Sequence, residues 1–352
     1  MADFFDAKVF NEEAFGRYVK RVPQPNKNTL IKSKVLVGDA EIKRVFGSQT
    51  GTYFATLPFK GLLGGEEVNY DGGTDITADS TDTYKQGVVV FGRAKAWTEK
   101  DFSQDITGGV DFMDNVAQQV GMYWDGKLTN TLMSVIKGIF SMTGAKNLEF
   151  VNKHTYDATG IDDGCVAPTT LNSALQQASG DKKAKFSLVF MHSVVATNLE
   201  NQKLLKFLTQ TDADGIERPL PLAHWNGRLV VIDDQMPTEE VTEGDETYTK
   251  YTTYAFGEGA IVFEDLGVKK PYAMVRDELK NGGQDTLVSR TRKCFAPYGI
   301  SFTNKSVAKL SPTNAEFENG QNWELVNNGQ SGSALKVFDH KEIAIARIYS
   351  RG

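Results

Sequence analysis

The feature that most constrains this chain is a long acidic, glycine-rich excursion between two strand-like arms. Residues 61–83 read GLLGGEEVNYDGGTDITADSTDT. They carry Glu66, Glu67, Asp71, Asp75, Asp79 and Asp82 and contain no Lys or Arg. Hairpin loops use about 2–5 residues, and loops beyond about 12–15 are functional or lack order. The flanks at 52–60 (TYFATLPFK) and 84–97 (YKQGVVVFGRAKAW) are rich in β-branched and aromatic residues, as strands are. A two-stranded arm by itself buries too little apolar surface to be stable in water. The arm is therefore expected to lie on something else, a neighbouring copy of the chain being the first candidate. A surface loop of a monomeric enzyme is the other reading.

With 352 residues the chain is long enough for one large domain or two smaller ones. Its net charge of −6 argues against general nucleic-acid affinity. The charge is unevenly placed. Arg17, Lys20, Arg21, Lys27, Lys32, Lys34, Lys43 and Arg44 stand against only Asp39 and Glu41, a local balance of +6, and the excursion that follows has a balance of −6. Such blocks are most often solvated surface. The two cysteines, Cys165 and Cys294, are far apart, which argues against a disulfide framework and leaves no CxxC metal site. No apolar run approaches the ~20 residues of a membrane helix. The start, MADFFDAKVFNEEAF, lacks a basic region ahead of a hydrophobic one, so no secretory signal and a reducing cytoplasm are expected.

Ala14, Tyr18 and Val22 share a face of an amphipathic helix expected over 11–21, which Pro23 and Pro25 stop. After the excursion a helix is expected over 110–140. Met113, Val116, Val120, Trp124, Leu128, Leu132, Val135 and Ile139 recur there in steps of three and four. Thirty residues at 1.5 Å each make a rod of roughly 45 Å. Gly121, Gly126 and Gly138 weaken it by about 1 kcal/mol each relative to Ala, and a packed sheet approaching closely would explain them. A short helix over 170–179, a strand over 185–191, a helix over 193–208 and a strand over 228–232 follow. A strand over 251–263 is broken at Gly257 and Gly259, and the acidic TEEVTEGDETY before it reads as a surface insertion. Strands over 272–279 and 285–294 flank Asn281-Gly282-Gly283, a hairpin turn. Ser311-Pro312 signals a helix start, and 342–349 (EIAIARIY) alternates as a strand does.

Chemistry-bearing patterns are scarce. His154, His192, His224 and His340 form no metal spacing, and neither a GxSxG elbow nor a phosphate loop is present. Gly257-Glu258-Gly259 lacks the third glycine of a dinucleotide fingerprint and reads as a bulge or bend. Asp212-Ala213-Asp214-Gly215 opens like a calcium loop, but Leu222 and Ala223 stand where the bidentate acid belongs. Asp233-Asp234 ends a strand with no partner His or Lys implied nearby. No catalytic residue, cofactor or metal is expected.

The order of elements resembles the major capsid proteins of tailed bacteriophages, the Hong Kong 97-type shell fold that encapsulins share. Local wording is similar to phage coat proteins at 255–265 (AFGEGAIVFED), 289–302 (SRTRKCFAPYGISF) and 311–326 (SPTNAEFENGQNWELV). The resemblance implies an α+β chain with an N-arm (1–46), an extended β-hairpin E-loop (47–96) and a peripheral domain holding a long spine helix (97–183). It further implies a mixed α/β axial domain (184–268), a peripheral-domain β-hairpin (269–299) and a C-terminal segment returning to the axial domain (300–352). It implies self-assembly into hexamers and pentamers of an icosahedral head that encloses double-stranded DNA without sequence-specific binding, in the virion, after assembly in the host bacterial cytoplasm. The expected partners are further copies, a separate scaffolding protein (only some 46 residues precede the E-loop) and a portal protein, with no membrane. An E-loop lies across the adjacent subunit, so the six excursion carboxylates are expected to meet a neighbour's basic surface. The candidates are the 17–44 arm and the hairpin strand with Arg290, Arg292 and Lys293. Lys60 and Lys85 flank the tip, but no Asn and Glu match the family's covalent crosslink, which is not expected. The competing readings are an encapsulin-type nanocompartment shell and a cytoplasmic α/β enzyme.

Overall fold

The computed structural model describes residues 30–31, 33–47, 53–61, 67–73, 75, 83–100, 116–161, 163–211, 217–244 and 246–352. The helix expected over 11–21 and the Asp212–Gly215 turn lie outside these residues. In chain order the strands are β1 (Leu36–Val37), β2 (Phe54–Lys60), β3 (Thr83–Lys100), β4 (Thr155–Asp157), β5 (Phe186–Met191) and β6 (Leu205–Thr211). They continue as β7 (Glu217–Trp225), β8 (Arg228–Ile232), β9 (Thr238–Glu243), β10 (Glu246–Gly257) and β11 (Ile261–Asp265). The last five are β12 (Tyr272–Asp277), β13 (Gln284–Pro297), β14 (Ile300–Phe302), β15 (Trp323–Leu325) and β16 (Ile345–Ser350). With helices between them, the fold is α+β.

β3 organises the first sheet, ordered β1-β11-β13-β3-β2 with β12 also on β13. Successive side chains of a strand point to opposite faces. Val88 and Val90 accordingly pack with Ile42 and Phe46 of the helix Ala40–Gly47, while Val89 and Phe91 enter the main core beside the long helix. Both faces of this stretch are covered, which explains its unbroken apolar run. The second sheet runs β4-β16-β10-β5-β8-β7-β6, with β9 hairpinned onto β10. One of its faces carries the helices Thr170–Ser179 and Ser193–Asn201 through Leu171, Leu175, Val195 and Leu199. The other joins the main core.

The long helix is Val116–Ile139 among the described residues. Val120, Trp124, Leu128, Leu132, Val135 and Ile139 are all buried, as their spacing requires. Its C-terminal half shares one core with Phe91 and Phe295 of the first sheet and with Phe190, Tyr254 and Phe256 of the second. Its other half makes a separate small cluster of Val120 and Trp124 with Leu287 and Trp97. The expectation that its glycines admit a sheet is corrected. At Gly138 a Cβ would overlap the carbonyl oxygen of Phe317, so the helix Asn314–Glu318 is what approaches, and Gly126 faces open space.

Three boundaries differ from the sequence reading, each for a local reason. The helix expected over 193–208 ends at Asn201. Leu204 N–H donates to Leu199 O and Lys203 N–H to Glu200 O, with Lys203 at φ 59°, a Schellman ending without the usual glycine signal. The broken strand over 251–263 is two strands in different sheets. β10 bulges at Gly257, where a Cβ would overlap that of Ala344, and Gly259 turns at φ 68° into β11. The cap expected at Ser311 is Thr313, which forms a capping box with Glu316. The TEEVTEGDETY insertion is the ordered β9–β10 hairpin.

Two outcomes test this packing. Leu128→Ala should cost about 2–5 kcal/mol in chemical unfolding, and Leu128→Asp should abolish the folded circular-dichroism signal. Gly138→Ala sets about 1 kcal/mol of helix propensity against an overlap with rigid backbone. Overpacking costs about 1–3 kcal/mol, so the melting temperature should fall.

Candidate assembly surfaces

The arms of the acidic excursion are not bare. Phe59 lies 5.1 Å from the Phe338 ring and 5.2 Å from that of Tyr298. Gln86 Nε2 donates to the carbonyls of Pro297 (2.8 Å) and Ile300 (2.9 Å), and Gly87 N–H to Ser301 Oγ (2.8 Å). A side chain at Gly87 would overlap the Phe302 carbonyl, so the approach requires glycine. β3 also pairs with β13 from Val90 to Lys100. The expectation that the arms need a neighbour's core is therefore corrected: the chain's own β13 and 297–302 segment cover them. The excursion leaves the sheet only beyond Lys60 and Thr83. There Glu67, Asp71 and Asp75 are exposed, Tyr70 is 89% exposed, and Asp71 Oδ1 accepts from Gly73 N–H at 2.8 Å in a tight turn. Glu66, Asp79 and Asp82 lie outside the described residues.

The expected basic partners are placed unevenly. Arg290 is exposed. Arg292 donates to the Phe46 carbonyl at the end of the helix Ala40–Gly47, and Lys293 is only 8% exposed. Burial thus leaves Arg290 as the cation this strand presents outward. In the 17–44 arm, Lys34 stands 3.8 Å from Glu258 and Arg44 3.7 Å from Glu41, while Arg17, Lys20, Arg21, Lys27 and Lys32 lie outside the described residues. The β9–β10 hairpin presents exposed Glu239, Glu240, Glu243 and Glu246; Lys250 reaches Glu239 (2.6 Å) and Arg351 reaches Glu246 (3.2 Å).

The titratable groups are mostly structural. His154 is buried, and its Nδ1 sits 2.7 Å from the Ile345 carbonyl. A carbonyl only accepts, so Nδ1 carries the proton and Nε2 accepts from His340 Nδ1 at 3.1 Å. Burial drives the His154 pKa down to about 4, against the opposing pull of its hydrogen bond to the Ile345 carbonyl. His192 Nδ1 accepts from Val194 N–H as a helix cap, and its Nε2 is 3.9 Å from Asp234. That corrects the expectation of no histidine near Asp233-Asp234, a proximity that only the β5–β8 pairing creates. A hydrogen bond from Ser193 holds the Asp234 pKa below the usual range. Burial raises the Cys294 thiol well above its ordinary value. Among the described residues no group of three His, Cys, Asp or Glu could hold a metal, and no helix is long and apolar enough to cross a membrane. Concavities of about 310 Å³ (beside Arg93 and Lys127) and about 860 Å³ (beside Tyr53 and Leu310) are walled by neither His, Cys, Asp nor Glu among those residues.

No family model matches the chain. It is 26% identical over 324 residues to the major capsid protein of Bacillus phage SPP1, covering 92% of this chain and 91% of that protein. It superposes on the capsid of Ralstonia phage GP4 with a TM-score of 0.55 at 9% identity, over 90% of this chain and 87% of that one. The chain has the phage capsid fold. The capsid asymmetric unit of cyanophage Pam1 gives a TM-score of 0.53 at 11% identity, over 100% of this chain and 97% of that one.

The His154–His340 pair yields a pH dependence. Because the folded-state value lies below the unfolded one (about 6.5), the unfolded chain binds the extra proton between them. Stability should therefore fall as pH drops from about 6.5 to about 4, by roughly 3 kcal/mol, and level off below. Urea unfolding across that range checks it, and His154→Gln should lack this component.

Proposed function

We infer that this chain is the major capsid protein of a tailed bacteriophage, self-assembling into the hexamers and pentamers of an icosahedral head that encloses double-stranded DNA. The observation that carries the reading is similarity to a phage major capsid protein along 92% of the chain, combined with the capsid fold over the same length. The work of such a protein is mechanical and involves no turnover. Each subunit is held by several neighbours, so individually weak contacts sum to a stable shell. The net charge of −6 suits a container that must not grip the DNA it later releases. Assembly takes place in the bacterial cytoplasm with a separate scaffolding protein and around a portal protein. The division into N-arm, E-loop, peripheral and axial domains, as set out from the sequence, belongs to the same reading. Glu66, Glu67, Asp71, Asp75, Asp79 and Asp82 then face a neighbouring subunit, and Arg290 is the exposed cation that strand β13 offers.

Electron microscopy of the purified protein tests this directly. Closed shells or ring-shaped capsomers are expected, and a chain that stays monomeric at every concentration and with scaffold added overturns the reading. A second test concerns charge. An exposed ion pair contributes only ~0–1 kcal/mol, so no single excursion carboxylate should be decisive. Replacing all six by Asn or Gln should leave the subunit folded and weaken assembly, because the loss recurs at every contact. Salt at 1 M, which shortens the screening length to ~3 Å, should reproduce part of that defect in the unaltered chain. Equal assembly of the six-fold variant at low salt would remove charge from the account.

A further inference from the structure

The second sheet carries opposite charge at its two ends, and its register fixes which end is which. β10 runs antiparallel to β5, with Gly257 beside Phe186 and Tyr254 beside Phe190. It then continues past β5 as the β9–β10 hairpin, which therefore extends from the end of the sheet where β5 finishes. At the other end, where β5 and its parallel neighbour β8 begin, the turn Gly180–Lys185 and Arg228 form a basic ledge.

Most of these charges are already paired within the subunit. On the ledge, Glu342 takes both Lys182 and Lys185, and exposed Asp181 also acts on Lys185. Lys183 and Arg228 have no carboxylate partner among the described residues. Lys183 is exposed. Arg228 is half-buried and donates only to carbonyls, that of Asn226 at 2.7 Å and that of Lys183 at 3.3 Å. Burial lowers its pKa, and no nearby carboxylate opposes the shift. On the hairpin, Lys250 takes Glu239 and Arg351 takes Glu246. Exposed Glu240 and Glu243 have no cation partner among the described residues. Glu243 also stands directly opposite Glu246 in the ladder, a like-charge pair of which Arg351 answers one member. Each end of the sheet thus presents two charges of one sign that the subunit does not satisfy.

The two ends cannot meet within one subunit. Arg228 lies one residue before the row Leu229–Leu188–Phe256, level with Gly257. Glu240 pairs with Thr249, eight residues along β10 from Gly257, a separation of about 26 Å. Glu243 pairs with Glu246, eleven residues away, or about 36 Å. An arginine and a glutamate side chain at full stretch together add at most ~15 Å, well short of either gap.

We propose that the acidic tip of the β9–β10 hairpin docks on the Arg228–Lys183 ledge of a second copy of this chain, where Glu240 or Glu243 supplies the carboxylate that Arg228 lacks. The proposal rests on the shell reading and adds a contact that does not involve the excursion. Two carbonyls hold the guanidinium plane of Arg228 in advance, which suits it to a carboxylate approaching from outside. A contact between two different surfaces is head-to-tail, and such contacts close into rings when the rotation permits.

Charge exchange tests it in the full chain. Lys183→Glu with Arg228→Gln on the ledge, and Glu240→Lys with Glu243→Lys on the hairpin, should each lower the yield of particles at low salt. Sedimentation and electron microscopy should show a loss on the order of tenfold for each pair. The chain carrying all four changes should recover to within about twofold of the unaltered protein, because the charges are exchanged rather than lost. Unchanged melting temperatures show that the subunits fold. If Arg228→Gln lowers the melting temperature, Lys183→Glu against Glu240→Lys repeats the test at two exposed side chains, with a smaller loss and the same recovery. Normal assembly of either half, or a combined variant no better than the worse half, overturns the proposal while the shell reading stands. Weaker retention of a short DNA duplex by the ledge variant, with assembly unchanged, assigns the ledge to phosphate and likewise overturns it. Absence of any particle from the unaltered chain overturns both readings.

Discussion

Burial of the long helix holds the rest of the molecule in place. Among the described residues no strand pairs between the two large sheets. They are joined by the helix's C-terminal half, whose apolar stripe meets aromatic side chains from both, and by the chain itself where it crosses at Gly257–Gly259. Protein interiors are close-packed, so a helix wedged between two sheets transmits displacement rather than absorbing it. A subunit built this way keeps its shape while its surfaces are loaded, which is what a shell requires.

The same packing determines which surfaces remain for neighbours. β3 is covered on both faces through Phe91, whereas beyond Gly92 exposed Ala94, Lys95 and Ala96 follow Arg93 and Trp97 returns to an apolar cluster with Val120, Trp124 and Leu287. At the other end of β3 the chain leaves the sheet altogether and becomes the acidic excursion. Charged side chains thus mark both ends of one strand, and the tip of the β9–β10 hairpin carries others. Individually these groups contribute little, since exposed ion pairs are screened by water and salt.

Much of this was legible in the sequence because it depends on short-range periodicity. The stripe from Val120 to Ile139, the strand at 228–232, the helix at 170–179 and the turn at Asn281-Gly282-Gly283 each follow from local patterns, and the structure places them at those positions. Boundaries were less legible where a common residue takes an uncommon conformation, as Lys203 does in ending its helix. The candidate surfaces were legible in composition only. Six carboxylates without a cation announced an exposed segment. By contrast, the run Arg290, Arg292 and Lys293 looked basic and exposed, although Arg292 is turned onto the Phe46 carbonyl and Lys293 is buried.

By itself the sequence determined the inventory: which segments are helix or strand, where the long rod runs, which loop is acidic, and the family the order of elements resembles. Only the tertiary structure decided partners. It showed that the arms of the excursion rest on 297–302 of their own chain, that one apparent strand is shared between two sheets, that His192 comes near Asp234, and that Arg93 and Lys127 face one another across a notch. The physical reason is range. Backbone propensity and periodicity act over a few residues and are written locally, whereas desolvation and charge pairing depend on residues such as Arg93 and Asn314, far apart in sequence and neighbours only once the chain has folded.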